Sequence, residues 1–208
     1  FRADHWPTAR AEYETLATKG QKPHTLIVAC SDSRADPALI FDAKPGELFV
    51  VRNVANLVPP YEPDGKLHGV SAALEFGVKV LGVKRIVVMG HAHCGGVNAM
   101  IHGAPDIVAD FVGPWIAQGT PVVQHVAETV APDQLERAAE EAIVRLSIRN
   151  LRTFPWIASG EQAGRVAGDT AGLGLGRPGL GQLVDLGGGA AVADGHAVRG
   201  VRADAAGD

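Results

Sequence analysis

The stretch HTLIVACSDSRADP, residues 24–37, decides the fold because it joins a buried strand to a group of reactive side chains. Its apolar run does not alternate with polar residues, which is typical of a strand covered on both faces in a parallel sheet. The run ends in Cys30, and Asp32 and Arg34 follow it closely. The sequence therefore places a thiol, an acid and a base where a buried strand ends.

Further strands and helices alternate along the chain. Two more strands are predicted, at 47–52 and 85–90, and helices are predicted at 3–18, 37–42, 66–82, 97–102, 106–117 and 121–150. This alternation predicts an α/β fold in which a mainly parallel central sheet is flanked by helices. Ligands bind such sheets beyond the carboxyl ends of the strands. Cys30 ends the first strand and GHAHCGG (90–96) ends the third, so both reactive stretches should meet at one edge.

The composition describes a globular protein and argues against several functions. The chain has 208 residues, 46% of them hydrophobic, and a net charge of −4, which predicts no nucleic-acid or membrane partner. No apolar run approaches the roughly 20 residues of a membrane span. Two cysteines fit a reducing compartment, so a cytoplasmic location is predicted. No signal peptide is recognisable, although a chain that begins with Phe1 leaves a removed leader open.

The C-terminal part of the sequence differs from the rest. Residues 160–208 hold 14 of the 26 glycines, and no aromatic residue follows Trp156. Glycine at this density costs backbone entropy and supplies no packing surface. The chain is therefore predicted to divide into an α/β domain at 1–160 and a Gly/Ala-rich, poorly ordered tail at 161–208, with one short strand at 183–186. Translation of a GC-rich gene in the wrong reading frame would also give such a composition.

Three side chains at the strand ends form a candidate metal site: Cys30, His91 and Cys94. Two thiolates and one imidazole are a recognised zinc donor set, and three protein ligands leave open the fourth position that a catalytic zinc uses. Ordinary alternatives exist, because a cysteine that ends a buried strand is usually a small hydrophobe and the two thiols could form a disulfide. His93, next to Cys94, is the competing ligand.

Taken together, these motifs resemble the beta-class carbonic anhydrases. The similarity lies in CSDSR (30–34), in GHAHCGG (90–96) and in three longer stretches at 44–60, 71–91 and 147–156, and it covers about residues 1–160. The resemblance implies a zinc enzyme that interconverts carbon dioxide and bicarbonate by metal-hydroxide attack. It also implies roles for five residues: Cys30, His91 and Cys94 as zinc ligands, and Asp32 and Arg34 as the catalytic pair.

The resemblance implies that Asp32 and Arg34 act together, and the charges around a zinc ion explain why. Two thiolates neutralise a zinc ion, so its water should be less acidic than in a three-histidine site. Asp32 is placed to accept a hydrogen bond from that water, but a free carboxylate could also bind zinc and close the site. Arg34 is predicted to prevent this by a charge-assisted hydrogen bond to Asp32. Without the metal motif, the pair would be interpreted as a surface ion pair.

The resemblance further implies a substrate pocket at a subunit interface, and hence a homodimer or tetramer. Four residues are predicted to line this pocket: Asn53, Val54, Ala55 and Gly95. His93 is a hypothetical proton relay. After about residue 163 the chain departs from the family, whose members continue with a His-Gly segment and an aromatic hairpin.

Three other interpretations stay open at this point. A related zinc hydrolase would act on carbon disulfide or carbonyl sulfide instead. A non-catalytic relative would use zinc only to staple the fold, although a structural zinc prefers four protein ligands. A redox switch would join Cys30 and Cys94 in a reversible disulfide and hold no metal.

Overall fold

The structure is a computed structural model that describes residues 1–173 and 184–185, with side chains described as far as Val166. Most of the predicted tail at 161–208 therefore lies outside the described residues. The boundary at residue 160 and the predicted lack of order beyond it stay predictions.

The described residues form a sheet with helices on both sides. The strands are β1 (Thr25–Cys30), β2 (Leu48–Asn53), β3 (Arg85–His91), β4 (Ala167–Leu173) and β5 (Val184–Asp185). The helices are α1 (Trp6–Lys19), α2 (Pro37–Ile40), α3 (Gly69–Glu75), α4 (Gly95–His102), α5 (Val112–Ala117), α6 (Thr120–Ala127), α7 (Leu135–Leu151) and α8 (Pro155–Gln162). Within this part of the chain, no helix combines the length and the apolar character needed to cross a membrane.

The sheet has the strand order β2-β1-β3-β4-β5. β1 pairs in parallel with both β2 and β3, β4 pairs in parallel with β3, and β5 runs antiparallel to β4. The predicted α/β fold with a mainly parallel sheet is confirmed. Because β1 and β3 are parallel neighbours, the carboxyl ends that carry Cys30 and His91 lie side by side.

Both faces of β1 are buried, which explains why its apolar residues do not alternate with polar ones. Leu26 and Val28 pack in a core cluster with Ile148 of α7. Ile27 lies in a second cluster, with Phe41 from the segment after α2. The strand is therefore a fixed base for the residues that follow it.

The predicted helix at 121–150 is wrong as one continuous element. α6 ends at Ala127, and α7 begins only at Leu135, after a 3₁₀ turn over Pro132–Gln134. Pro132 disfavours helical geometry at the preceding residue, and Ala131 is extended (φ −67°, ψ 148°). The predicted helix at 106–117 is likewise divided, into a 3₁₀ turn at Asp106–Val108 and α5.

Ser147 of α7 ties the segment after β2 to the core. Its fully buried hydroxyl donates to the Asn56 carbonyl (3.0 Å) and accepts from the Val58 N–H (3.1 Å). We expect Ser147→Ala to lower the free energy of unfolding by about 1–3 kcal/mol, because two buried backbone groups lose their partner. Urea unfolding measures this, with the exposed Ser159→Ala of α8 as the control, expected to change stability by less than about 0.5 kcal/mol. Equal stability of the two variants would contradict this role.

Candidate metal centre

Cys30, His91 and Cys94 lie together at the carboxyl edge of the sheet. One ligand atom from each residue lies within 4.8 Å of the others, and all three residues are buried. The two sulfur atoms are 3.9 Å apart and both cysteines are free. A disulfide needs about 2.05 Å, so the thiols face each other without a bond. His93 is not part of this cluster.

The hydrogen bond of His91 leaves one ring nitrogen free to bind a ligand. Its Nδ1 lies 3.0 Å from the Ala92 carbonyl, which can only accept, so Nδ1 carries the proton and donates. Its Nε2 is buried and has no hydrogen-bond partner in the structure. A buried acceptor without a partner is costly, and a metal ion would satisfy it.

The two thiols perturb each other's ionisation. The hydrogen bond from Cys94 holds the pKa of Cys30 well below its usual range, and a contact with His91 lowers it further. The same sulfur–sulfur hydrogen bond raises the pKa of Cys94, and burial adds to the rise. The contact with Cys30 in turn raises the pKa of His91. The contact between the two sulfurs therefore favours negative charge on Cys30 and disfavours it on Cys94.

Asp32 is held by Arg34 through both carboxylate oxygens. Arg34 Nε donates to Asp32 Oδ1 at 2.9 Å, and Nη2 donates to Oδ2 at 2.7 Å. The backbone N–H of Arg34 also donates to Oδ1, at 2.9 Å. These hydrogen bonds hold the pKa of the Asp32 carboxyl well below its usual range. The structure thus brings the two residues together as a bidentate pair, and their catalytic role stays a prediction.

Removing the guanidinium should raise the pKa of Asp32. A carboxyl whose pKa is lowered stays ionised at neutral and mildly acidic pH and gains a proton only as the pH falls through the lowered value. We expect Arg34→Ala to move this titration upward, towards the ordinary value of about 3.9. A ¹³C NMR titration of the Asp32 carboxyl would show the shift, and Arg145→Ala on α7 is the control. An unchanged titration in Arg34→Ala would contradict the assigned cause.

Arg52 braces the loop between Cys30 and Asp32, a contact that the sequence analysis missed. Its Nε donates to the Cys30 carbonyl (3.0 Å), and its Nη2 donates to the Asp32 carbonyl (2.6 Å). Its Nη1 pairs with Asp36 at 2.7 Å. An arginine near the end of the apolar run LFVVRN was the available signal.

Two of the four predicted pocket residues pack beside the thiols. Ala55 is buried in a cluster with Cys30 and Cys94, and Val54 packs against that cluster. Ala55 has φ +63°, a left-handed conformation uncommon for alanine. A Cβ at Gly96 would come within 2.9 Å of the Ala55 Cβ, so glycine permits this close approach of α4.

The other two predicted pocket residues differ in setting. Asn53 exchanges two hydrogen bonds with the Leu57 backbone (2.9 and 2.8 Å) and so braces the turn that carries Val54. Gly95 is exposed at the start of α4. Trp115, which the sequence analysis missed, donates from Nε1 to the Val54 carbonyl at 2.8 Å. The pocket assignments stay predictions.

Glu140 of α7 is another contact that the sequence analysis missed. The backbone N–H of Cys94 donates to its Oε1 at 3.1 Å. Burial raises the pKa of the Glu140 carboxyl, although this hydrogen bond opposes the rise. No local sequence signal marks Glu140, because it reaches the site only through the packing of α7 over the sheet edge.

The fold and the site together define an α/β protein with a candidate Cys-His-Cys metal centre at the edge of a mainly parallel sheet. The family model described as Carbonic anhydrase matches residues 25–173. The chain therefore belongs to the carbonic anhydrase family, in its beta class, and carbonic anhydrase activity is the activity of that family. The predicted resemblance and enzyme class are confirmed.

Individual relatives agree with this assignment. A protein from Pseudomonas aeruginosa described as "Carbonic anhydrase" is 39% identical over 172 residues, which cover 80% of this chain and 75% of the relative. The solved beta-carbonic anhydrase CcaA has a TM-score of 0.76 and 29% identity, covering 84% of this chain and 85% of its own. Tetrameric beta-carbonic anhydrases from Sordaria macrospora give a TM-score of 0.66 and 26% identity, covering 87% of this chain and 93% of theirs.

Proposed function

We propose that the chain catalyses the reversible hydration of carbon dioxide to bicarbonate and a proton, with a zinc ion held by Cys30, His91 and Cys94. One observation carries the proposal: three buried donor atoms lie within 4.8 Å of one another. Asp32, held by Arg34, follows the first of these ligands by two residues. A structural metal would need no such carboxylate.

The donor set fits zinc in chemistry and in spacing. Two sulfurs bound at about 2.3 Å to one tetrahedral zinc would lie about 3.8 Å apart. The observed separation is 3.9 Å, and His91 Nε2 supplies a third donor without any competing hydrogen bond. Zinc, when bound, would acidify water, though less than in a three-histidine site because two thiolates neutralise its charge.

Asp32 orients the attacking water by accepting a hydrogen bond from it. The carboxylate is ionised at neutral pH, as an ordinary aspartate is, and Arg34 keeps it ionised in more acidic solution by lowering its pKa, so it can only accept. Arg34 fixes both oxygens in one orientation and so sets the direction of the remaining lone pairs. The proton released by hydration leaves through the exposed side of the site, where His93 is half-exposed and its Nδ1 lies 3.1 Å from Glu136 Oε1.

The half-buried Val54 supplies apolar surface for carbon dioxide, and the fully buried Ala55 supports it from behind. Both pack in or against the cluster that contains the two cysteines. Trp115 holds the Val54 carbonyl and Asn53 holds the turn, so this surface is fixed before substrate arrives. A small apolar molecule needs such a rigid wall because it offers few polar groups for orientation.

Parallel rate measurements on different substrates test the proposal. Stopped-flow hydration of carbon dioxide is compared with hydrolysis of carbonyl sulfide and carbon disulfide by the same zinc-loaded preparation. We expect turnover of carbon dioxide to exceed that of both sulfur analogues. Faster turnover of either analogue would identify a related hydrolase. No turnover of any of the three substrates would identify a non-catalytic relative in which zinc only stabilises the fold.

We further propose that the chain assembles as a homodimer or a tetramer. The structurally similar Sordaria macrospora enzymes are described as tetrameric. Helix α1 buries none of its residues, and four large apolar side chains are 80% or more exposed: Leu39, Leu67, Ile107 and Phe111. Assembly would remove apolar surface of this kind from water, which favours association. Light scattering coupled to gel filtration measures the assembly, and a monomer at micromolar concentration would contradict it.

The two thiols of the site favour a location in a reducing compartment such as the cytoplasm. Both thiols are free, and metal binding needs them unoxidised. Fractionation of the native cells would test this location.

A further inference from the structure

The loop from His91 to Cys94, here called the ligand loop, contains a left-handed turn. His93 has φ +56°, a conformation that is uncommon outside glycine, although histidine adopts it more often than most other residues do. Two proposed ligands, His91 and Cys94, lie on either side of this turn. A relaxation of His93 to ordinary geometry would therefore move one ligand relative to the other.

Three side chains hold the turn from outside. Arg34 Nη2 donates to the His93 carbonyl at 3.0 Å, and Glu136 Oε1 lies 3.1 Å from His93 Nδ1. Glu140 Oε1 accepts from the Cys94 backbone N–H at 3.1 Å. The first two contacts involve well-exposed side chains, with 45% exposure for Arg34 and 50% for His93. Solvent screens such contacts, so the partly buried contact of Glu140 should be the most effective of the three.

Glu140 also stands on a rigid base. It lies on α7 between the buried Ala139 and Ile143, and α7 packs against both β3 and α4. Glu140 accepts a hydrogen bond from the backbone N–H of Cys94, the residue just before α4. The side chain of Cys94 does not cap that end of the helix. A carboxylate that accepts a backbone N–H makes a short-range, charge-assisted contact of the stronger kind.

We propose that Glu140 is a positioning residue, which holds the ligand loop in its left-handed turn and so presets His91 and Cys94 for the metal. The inference rests on the proposed zinc-dependent function. Loss of a hydrogen-bond partner beyond the direct ligands typically weakens metal binding by about 10–100-fold. We expect a loss of that size when the carboxylate is removed.

Zinc affinity of the metal-free chain, measured by competition with a chromophoric chelator, tests this inference. We expect Glu140→Ala to weaken zinc binding by about 10–100-fold. Glu140→Gln retains an oxygen that can accept from Cys94, so it should recover most of that loss and stay within about 5-fold of the parent chain. The matched control is Glu141→Ala, because Glu141 pairs with Arg137 and Arg145 on its own helix. The zinc affinity of Glu141→Ala should stay within about 2-fold of that of the parent chain, a much smaller change than the loss of a ligand's hydrogen-bond partner causes.

The absorption spectrum of the cobalt(II)-loaded chain gives a second readout that does not depend on activity. Sulfur-to-cobalt bands report on the geometry of the two thiolates, so they should shift in Glu140→Ala and not in Glu141→Ala. Should Glu140→Ala fail to fold, Glu140→Asp replaces it. Its carboxylate is one methylene shorter and cannot keep the 3.1 Å contact without movement.

Each outcome separates this inference from the proposed function. A parent chain that binds no zinc would contradict the proposed function itself. A parent chain that binds zinc, together with Glu140→Ala or Glu140→Asp within 2-fold of it, would overturn the positioning role alone. Equal losses in Glu140→Gln and Glu140→Ala would overturn it too, because the hydrogen-bond acceptor would then not be what matters.

Discussion

Replacing His91 with alanine should remove stoichiometric zinc from the chain and abolish carbon dioxide hydration. The imidazole is buried, its Nε2 has no hydrogen-bond partner, and one of its ring nitrogens lies within 4.8 Å of both sulfurs, so the variant keeps only two of three donors. The loss of zinc affinity should exceed the loss of about 10–100-fold that follows when a hydrogen-bond partner of a metal ligand is removed. Metal analysis after dialysis against a mild chelator measures the zinc content directly.

His93→Ala is the matched control for this experiment. The two histidines are separated by one residue, yet only His91 belongs to the buried cluster, while the His93 side chain is 50% exposed. We expect His93→Ala to retain one zinc per chain. Loss of zinc in His93→Ala with retention in His91→Ala would exchange the two assignments.

Replacing Asp32 with asparagine should lower kcat/KM by about 10²–10⁴-fold without removing zinc. That range is typical of general acid–base groups and corresponds to about 3–5 kcal/mol of transition-state stabilisation. Asparagine has the same shape and can still accept the Arg34 N–H that Asp32 accepts at the start of the short 3₁₀ turn. The change therefore removes the negative charge and the acceptor that Arg34 Nη2 uses, while the oxygen that accepts from the Arg34 backbone N–H and Nε can remain.

Zinc content and an unrelated carboxylate complete this experiment. Asp106→Asn changes an exposed acid on the turn before α5 and should leave kcat/KM within about 2-fold, as expected of a surface site. An Asp32→Asn variant that holds one zinc and turns over at the parent rate would refute the assigned role. Loss of zinc in this variant would instead make Asp32 a residue of the metal site.

Sequence patterns were sufficient for strands β1, β2 and β3 and for the meeting of Cys30 and His91 at one sheet edge, but not for β4 (Ala167–Leu173), which lies inside the predicted tail. The apolar run ending in Cys30 identified a doubly covered strand, and parallel neighbours necessarily bring their carboxyl ends together. Cys30 and His91, 61 positions apart in the chain, could therefore be placed at one edge. The break at Pro132 was also visible in the sequence, and the periodic apolar residues on either side of it masked the signal.

The contacts around the cluster could not be predicted because they arise between distant elements. Glu140 reaches Cys94 only through the way α7 lies over the sheet edge, and a surface-facing glutamate in a helix has the same local pattern. Arg52 is similar, since its three hydrogen bonds go to a loop that precedes it by about 20 residues. Charged residues that hold a backbone are identified by geometry, not by spacing.

The most direct test is to add zinc stepwise to the metal-free chain and to follow carbon dioxide hydration by stopped flow after each addition. We expect the rate to rise in proportion to zinc and to level off at one equivalent per chain, because Cys30, His91 and Cys94 form one site. A chain that takes up one equivalent of zinc and hydrates carbon dioxide no faster than buffer would contradict the account.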